Sequence, residues 1–531
     1  MVNRSESSAR FSSGFSSARI DARVTRLNVL PSAKLRRGVP FANVIRNFGR
    51  VFRVHPNSLD TEAKTALYES SVPAEDSKID VFISHSWSSP GYQKYFSLLI
   101  HECGKASVIA SCSAGLLAFF FQKFFYKLPF TVVEGAFDPI FQVHQETQPW
   151  EFLVSFIAGI LTLLFYPLLQ TNKLFFIDCM VIHQTDLDLK MAGIKALGGF
   201  VALSKDFYVM WDNEYFSRLW CVYELAVFKA IHPDKHNIRL LPLRQSVAIL
   251  LLIPLFFAGF LLYIIAFPLV APIGIYTFYA AAFGASTLIY TGAAMVGYDF
   301  ADQIIKLDEQ LSNFEVSTAQ CFAPEDREEI LNKISTMYSG GLEQFNLSVR
   351  NELRADVIKA VRHTPRTLLP YQTLITGLIA TFGFMIFGIS WFRNSNIETF
   401  VCFTIYMISF SWVVMPTITS FSLYQGETLY KRKPPPQNEI GFKSALKRNK
   451  WSYLKIGLLG AFLFIGVWTS LAFVLPLATV NSETQPFLGV FPKSSAIYIS
   501  LATCLPAIPI AYWTFEGTNS RTNHQVAPQT E

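Results

Sequence analysis

The sequence predicts an α-helical membrane protein with about eight transmembrane helices and one cytosolic α/β domain that a membrane hairpin splits in two. Charged residues make up only 16% of the 531 residues, whereas soluble proteins carry about 25%. Uncharged runs of membrane-spanning length recur along the chain, and short apolar segments alternate with helical patterns around the first of them, as in a parallel sheet. This composition excludes the disordered, collagen-like and disulfide-scaffold classes, and also an ordinary soluble enzyme.

Transmembrane helices need about 17–25 mostly apolar residues, and the uncharged runs of this chain supply eight candidates. The run 245–298 has room for two helices, with the turn at Pro268 and Pro272. The run 106–122 is the shortest, and a buried helix of the α/β domain is its alternative interpretation. The other predicted spans are 152–172, 367–392, 399–426, 456–482 and 494–515.

The distribution of basic residues predicts the orientation of these helices. Of the 45 Lys and Arg residues, 41 fall on one side of the predicted topology, and the side rich in basic residues is normally cytosolic. Eight spans then place both termini of an integral, multi-pass protein in the cytosol. The seven longer spans contain no Asp, Glu, Lys or Arg, which favours an anchor over a proton-coupled pump. The absence of charges does not exclude a channel lined by carbonyl and hydroxyl groups.

The remaining segments divide the chain into domains. Residues 1–53 contain ten Arg but only Glu6 and Asp21, so we expect a disordered basic tail that is attracted to anionic lipid headgroups; an organelle transit peptide is the alternative. The expected order is this tail (1–75), the first part of the α/β domain (76–105), a membrane hairpin (106–172), the second part (173–244), a hairpin (245–298), amphipathic cytosolic helices (299–366), a hairpin (367–426), a basic cytosolic loop (427–455), a hairpin (456–515) and a cytosolic tail (516–531).

Within the two parts of the α/β domain, strand and helix patterns alternate and predict a doubly wound parallel sheet. Ligands of such sheets bind at the carboxyl ends of the strands, where Ser84, His85, Asp178 and the loop Cys179–Asp186 fall. The expected strands are 79–87, 174–178, 207–210 and 238–241, and the expected helices are 91–104, 187–203 and 217–231.

Three motifs in this region resemble the TIR (Toll/interleukin receptor) family. Asp80–Ser86 (DVFISHS) is similar to the opening strand of that family, and Phe175–Asp178 (FFID) is similar to its second strand. Tyr215, Trp220, Cys221, Glu224 and Leu225 fall in register with a third motif of the family. The resemblance covers about 79–104 and 173–243 and implies a flavodoxin-like fold. The chain departs from the family at Asp212, where a Ser is usual, and shows no fifth strand before 245.

The resemblance implies signalling by assembly, and in some members it implies hydrolysis of NAD+. We therefore expect a membrane-anchored TIR-like signalling or interaction protein that acts through cytosolic self-association. The first alternative is a TIR-type NAD+ hydrolase, an NAD+ nucleosidase, with Glu224 as the catalytic carboxylate and Trp220, Ser84 and Asp178 in the NAD pocket. In the competing structural interpretation Trp220 and Leu225 are core residues, and Glu224 either caps a helix or pairs with Arg218. The second alternative is a channel or transporter with a fused cytosolic sensor.

Few other ligands are expected. The seven cysteines are scattered without metal-ligand spacing, and neither His85 nor His183 has a third ligand at fixed spacing, so no metal site is expected. No cofactor is required, and NAD+ enters only as a candidate substrate. The expected partners are the lipid bilayer and other TIR-like domains, including a second copy of this chain. The net charge of +6 follows the membrane orientation and gives no sign of a nucleic-acid partner.

Overall fold

The computed structural model describes the following residues: 35–74, 79–129, 132–138, 143–170, 172–232, 238–270, 275–321, 324–362, 382–390, 400–435 (except 402–403, 406 and 409) and 442–479. The predicted span 494–515 and the predicted tail 516–531 lie outside this part of the chain. So do the first 34 residues of the expected basic tail and most of the expected span 367–392.

One mixed sheet forms the centre of a domain, named here the sheet domain, and its strands come from both sides of the two apolar helices Gly91–Phe124 and Trp150–Phe165. The strands that were expected from the sequence are present, and they pair in parallel in the order β6–β3–β7–β8. Two antiparallel strands that were not expected, β1 and β2, extend the β6 edge. The strands are β1 (Arg37–Pro40), β2 (Val72–Pro73), β3 (Ile79–His85), β4 (Val132–Asp138), β5 (Val143–Thr147), β6 (Leu174–Phe176), β7 (Ser204–Trp211) and β8 (Ile238–Pro242), of which β4 and β5 form a separate hairpin.

Helices make up most of the rest of the described chain. The expected helix 187–203 is divided at Ala196 into two helices, and the expected helix 217–231 begins two residues later. The helices are α1 (Phe41–Arg53), α2 (Thr61–Glu69), α3 (Gly91–Phe124), α4 (Trp150–Phe165), α5 (Asp178–Val181), α6 (Leu187–Lys195), α7 (Leu197–Leu203), α8 (Leu219–Ile231), α9 (Leu243–Val270), α10 (Ile275–Ser312), α11 (Pro324–Met337), α12 (Gly341–Ser348), α13 (Arg354–Arg362), α14 (Met415–Arg432) and α15 (Phe442–Thr479).

The expectation of a disordered tail over 1–75 is wrong for residues 35–74, which fold onto the sheet. Strand β1 pairs with β6, and the Phe41 ring stacks on Phe175 with 5.0 Å between ring centroids. Val44 and Phe52 of α1 are also buried in the core. The high Arg content of the first 53 residues concealed an amphipathic helix whose apolar face covers the edge of the sheet.

The segment 301–362 covers the other side of the sheet domain, where the sequence showed no fifth strand. Leu307 and Leu311 of α10 and Phe345 of α12 belong to the same buried core as β3 and β7. Hydrogen bonds also join the two regions, because Tyr338 Oη donates to the Ala226 carbonyl at 2.9 Å. The end of α10 and the helices that follow it therefore complete the domain that precedes α9.

Four described helices are long and apolar enough to span a membrane, within Gly91–Phe124, Trp150–Leu169, Ala280–Ser312 and Lys447–Val467. A shorter apolar stretch, Leu252–Leu262, lies within α9. These helices are compatible with a helical membrane protein, and the count of eight spans stays a prediction. The expected helix 91–104 and the expected span 106–122 form one continuous helix, α3, of 34 residues.

Small residues allow the apolar helices to pack closely, as is common in membranes. In the pair α3–α4, Ser107 Oγ donates to the Gly159 carbonyl at 2.6 Å, and the hydroxyls of Ser111 and Ser155 lie 2.9 Å apart. In the pair α10–α14, a Cβ on Gly426 would collide with the Ala294 carbonyl. The serine hydrogen bonds fix α3 and α4 in an antiparallel register.

Candidate functional site

The candidate site lies at the carboxyl ends of the parallel strands, as the strand pattern predicted. Ser84 and His85 end β3, Asp178 follows β6, and Asp212 follows β7. Glu224 reaches the same place from the second turn of α8, which begins at Leu219. Because neighbouring parallel strands end at one edge of a sheet, residues 140 positions apart in the sequence meet here.

A short hydrogen-bond chain holds the Glu224 carboxyl group. Ser84 Oγ donates to Glu224 Oε2 at 2.5 Å, and the same hydroxyl lies 2.7 Å from Tyr215 Oη. Tyr215 is fully buried, and it comes from the 3₁₀ turn Tyr215–Ser217 between β7 and α8. The motif residues Tyr215 and Glu224 therefore act on one another through Ser84, and Glu224 does not form the ion pair with Arg218 that the structural interpretation expected.

Burial raises the pKa of Glu224 to about 8, although the hydrogen bond from Ser84 lowers it and the nearby Asp178 carboxylate raises it further. Without a bound ligand, the Glu224 carboxyl group is therefore mostly protonated at neutral pH. A carboxylic acid in this state responds strongly to charge, because a cation placed beside it favours ionisation. Burial likewise raises the pKa of Tyr215 well above its usual value, so its hydroxyl stays protonated.

Asp178 forms the more open side of the site, with 43% of its side chain exposed. Its Oδ2 accepts a hydrogen bond from Trp87 Nε1 at 3.3 Å, and its Oδ1 accepts one from the Cys179 backbone amide at 2.7 Å. Both contacts fix the carboxylate at the start of α5. Asp178 thus presents an accessible negative charge close to the protonated Glu224.

His85 lies between Asp178 and the core, and its environment keeps it neutral. Burial, and then the positive charge of Lys94, lower the pKa of His85 well below 6.5. Its Nε2 is buried without a hydrogen-bond partner among the described residues, 3.9 Å from Asp178 Oδ1. The ring packs edge-to-face against Trp87, with 4.9 Å between centroids.

Lys94 is a site residue that the sequence did not reveal. Its side chain is completely buried, and its Nζ donates to the Ser86 carbonyl at 2.6 Å and lies 3.4 Å from His85 Nδ1. A buried lysine is rare unless it has partners. Lys94 is the only Lys or Arg in the expected amphipathic helix 91–104. A lysine in such a helix is usually interpreted as facing solvent.

The structure brings Ser84 and Glu224 into hydrogen-bond contact near Asp178, and Trp220 lies one helical turn before Glu224 on α8. Trp220 is half-buried against the edge of the core, and its ring packs edge-to-face on Tyr223 at 6.0 Å. Trp87 is instead the indole that contacts Asp178. The sequence offered one signal for Trp87, since it directly follows the Ser84–Ser86 segment at the end of β3.

The described residues contain no group of three or more His, Cys, Asp or Glu side chains that could hold a metal ion. Cys179 and Cys221 are buried next to the site, and burial raises the pKa of both thiols well above 9. Cys221 Sγ lies 3.4 Å from the His85 carbonyl. Both sulfurs are therefore protonated packing groups and not thiolate nucleophiles or ligands.

No protein-family model matches the chain, and no significant match exists among curated proteins or solved structures. The chemistry of the site must therefore be read from its own side chains. They form a protonated, hydrogen-bonded glutamic acid beside an accessible aspartate, with an indole and a neutral imidazole at the wall. Such an arrangement suits a cationic or polyhydroxylated ligand.

Proposed function

We propose that this chain is a membrane-anchored TIR-like signalling protein whose cytosolic site hydrolyses NAD+ with Glu224 as the catalytic carboxylate. The observation that carries the proposal is the hydrogen-bonded placement of Glu224 by Ser84 beside Asp178. The order of the parallel strands supports it as well. The four parallel strands lie side by side in the order β6–β3–β7–β8. If they are numbered 1 to 4 along the chain, this spatial order is 2-1-3-4, which is the flavodoxin-like order.

The chemistry requires stabilisation of positive charge at the ribose. When the bond between nicotinamide and the ribose C1′ breaks, its electron pair leaves with nicotinamide and the sugar gains oxocarbenium character, which a carboxylate stabilises. Water then adds to C1′ and releases a proton, giving ADP-ribose. The positive charge of the bound nicotinamide ring lowers the pKa of Glu224, so the substrate itself generates the carboxylate that its transition state needs.

The roles of the other residues follow from their contacts. Ser84 orients the Glu224 carboxyl group and is a positioning residue. Asp178 supplies a second negative charge on the exposed side, where a ribose hydroxyl or the cationic ring would lie. Trp87 offers a flat apolar wall, and Lys94 fixes the loop after β3 through the Ser86 carbonyl.

Self-association of the cytosolic domain is part of the proposal. Helix α6 exposes two large apolar side chains one helical turn apart, Leu187 with 70% and Met191 with 45% of its surface accessible. The first three residues of the expected loop Cys179–Asp186 belong to the short helix α5, and α6 follows the remaining segment 182–186, which leads from the candidate site. Exposed apolar residues at such a place are consistent with a contact between copies of the domain. In this proposal the sheet and both termini face the cytosol.

The decisive experiment measures nicotinamide release from NAD+ by the full-length protein in lipid nanodiscs. We expect release by the parent chain and a loss of at least about 100-fold in Glu224→Gln, which keeps the size of the side chain but cannot become an anion. Glu214→Gln is the matched control, because it makes the same chemical change at an exposed glutamate ten residues before Glu224. We expect it to stay within about twofold of the parent.

Three outcomes would redirect the proposal. Release that persists in Glu224→Gln would remove the catalytic assignment. A folded protein that clusters through α6 but releases no nicotinamide would leave the non-catalytic interaction module. Ion flux in reconstituted vesicles, without NAD+ cleavage, would instead support the channel with a fused sensor.

A further inference from the structure

A cavity that is not part of the candidate site lies against α1. It has a volume of about 220 Å³, opens to solvent, and is lined by residues of α1, α2 and α5 and by the segment between α1 and α2. Its floor is apolar and includes Val51, Leu67 and Met180, and its rim carries Arg46 and Arg50. The function proposed above uses none of these residues.

The charge of this cavity is one-sided. Arg46 and Arg50 are both exposed, and no acidic residue lines the cavity. Neither arginine forms an ion pair within the described part of the chain, whereas the neighbouring Arg53 donates to the Asn47 carbonyl at 2.6 Å. Two guanidinium groups above an apolar floor suit a ligand with a doubly charged, oxygen-rich anion at one end and an apolar group at the other.

The backbone between the two arginines is strained. Asn47, Phe48 and Gly49 have φ angles of 53°, 55° and 64°, in the left-handed region that residues with a Cβ rarely adopt. Gly49 is needed there because a Cβ would come within 2.8 Å of the Tyr95 ring. Strain of this kind persists where the surrounding structure enforces it and is concentrated at binding sites. Arg46 and Arg50 lie on either side of Asn47–Gly49, and both line the rim of the cavity.

We infer that this cavity binds a phosphomonoester, with its phosphate between Arg46 and Arg50 and its apolar part on the floor formed by Val51, Leu67 and Met180. The inference rests on the cavity itself and does not require NAD+ hydrolysis. The ligand can be a soluble metabolite or a phosphorylated lipid headgroup, since both present the same group to the arginines.

A ligand in the cavity would affect the candidate site, because residues of α1 and α5 contact both. Met180 lies in the same short helix as Asp178. From α1, Phe52 packs on His85 with 5.8 Å between ring centroids, and His55, just beyond the helix, packs on Trp87 at 5.0 Å. A ligand that tightens α1 against α5 therefore restrains both Asp178 and Trp87.

The test is isothermal titration calorimetry on the purified full-length protein in detergent micelles. One arm uses phenyl phosphate, and the other uses dioctanoyl phosphatidylinositol 4-phosphate, with phenol and dioctanoyl phosphatidylcholine as the matched compounds without a phosphomonoester. We expect a phosphomonoester to bind, and Arg46→Gln and Arg50→Gln each to weaken binding by about tenfold or more, as for a lost charged hydrogen bond. Lys64→Gln removes a positive charge from α2, outside the cavity lining, and should leave the affinity unchanged.

Each result decides between named alternatives. Binding of phenyl phosphate supports a soluble ligand, and binding of the phosphorylated lipid alone supports a headgroup. Absence of binding in both arms overturns the inference, as does binding that the arginine variants leave unchanged. Equal binding of the compounds without a phosphomonoester would also overturn it. Circular dichroism melting of each variant separates lost affinity from lost folding, and nicotinamide release plays no part in the outcome.

Discussion

Glu224 is the residue on which the proposed chemistry depends, and its ionisation makes that chemistry sensitive to pH. Its pKa is about 8 in the free protein, because burial disfavours the charged form. The value of kcat/KM reports the ionisation of the free enzyme. We therefore expect kcat/KM for NAD+ to rise about tenfold per pH unit below pH 8 and to level off above it. A profile that is flat between pH 6 and 9 would contradict the role of Glu224.

The hydrogen bond from Ser84 gives this profile a second, independent test. Because that bond lowers the pKa of Glu224, Ser84→Ala should shift the rise in kcat/KM to higher pH. Ser88→Ala is the control, since Ser88 is an exposed serine that pairs with Ser86 and not with Glu224. A lower maximal rate with an unmoved pH profile would mean that Ser84 acts in some way other than by tuning Glu224.

The same ionisation predicts a stability effect that requires no activity. An unfolded chain deprotonates Glu224 near pH 4.5, whereas the folded protein holds the proton up to about pH 8. Stability is therefore lost between these two pH values as the pH rises. Glu224→Gln removes this loss, so its apparent melting temperature should exceed that of the parent at pH 8 and approach it at pH 5. A difference that does not change with pH would show that the carboxyl group is not titrating in this window.

Residues differ in how well the sequence indicated them. Ser84 and Asp178 could be placed because they follow apolar, β-rich runs, and the carboxyl ends of parallel strands converge. Lys94 could not be placed, since nothing in a helical pattern shows that a lysine will be enclosed by the loop that precedes its helix. Trp220 was placed in the pocket by its motif, yet its ring contacts Tyr223. Spacing along a helix fixes a direction but not the element that lies opposite.

At the scale of elements, α1 is held against the sheet domain by a close approach to α3. A Cβ on Gly91, the first residue of α3, would collide with the Phe52 carbonyl. We expect Gly91→Ala to destabilise the protein by about 1–3 kcal/mol, as overpacking commonly does, and to expose α1 to limited proteolysis. Gly284→Ala is the matched control, because nothing lies within 4 Å of its Cβ position. Equal effects from the two substitutions would mean that α1 does not pack as described.

The elements also show which secondary structure the sequence patterns predicted and which they missed. The strands β3, β6, β7 and β8 were found close to their expected bounds because each is a short apolar run with clear ends. Strand β1 and helix α1 were missed because arginines dominate the composition of the first 53 residues. The border between the expected helix 91–104 and the span 106–122 does not exist, since one helix can be amphipathic near the sheet and apolar beyond it.

The whole molecule is built so that the sheet and the apolar helices share continuous elements. Helix α3 carries Lys94 near one end, and helix α10 ends beside β7, where Gln310 Nε2 donates to the Asn213 carbonyl at 2.5 Å. Between them, Arg244 of α9 forms ion pairs with Asp299 and Asp302 of α10. Displacement of either long helix would therefore move residues next to the candidate site, namely Lys94 at the end of α3 and Asn213 beside the end of α10.

The last prediction tests whether the sheet domain depends on residues far along the chain. Val316, Phe345 and Leu353 are buried in its core, and Lys229 of α8 pairs with Glu352 at 2.9 Å. A chain ended after Ser312 lacks this cover, whereas one ended after Arg362 keeps it, and both lack α14 and α15. We expect the shorter chain to aggregate on extraction and the longer one to remain soluble in detergent with a protease-resistant sheet domain. Because the two differ only in 313–362, equal behaviour would show that these helices merely lie against a domain that is already complete.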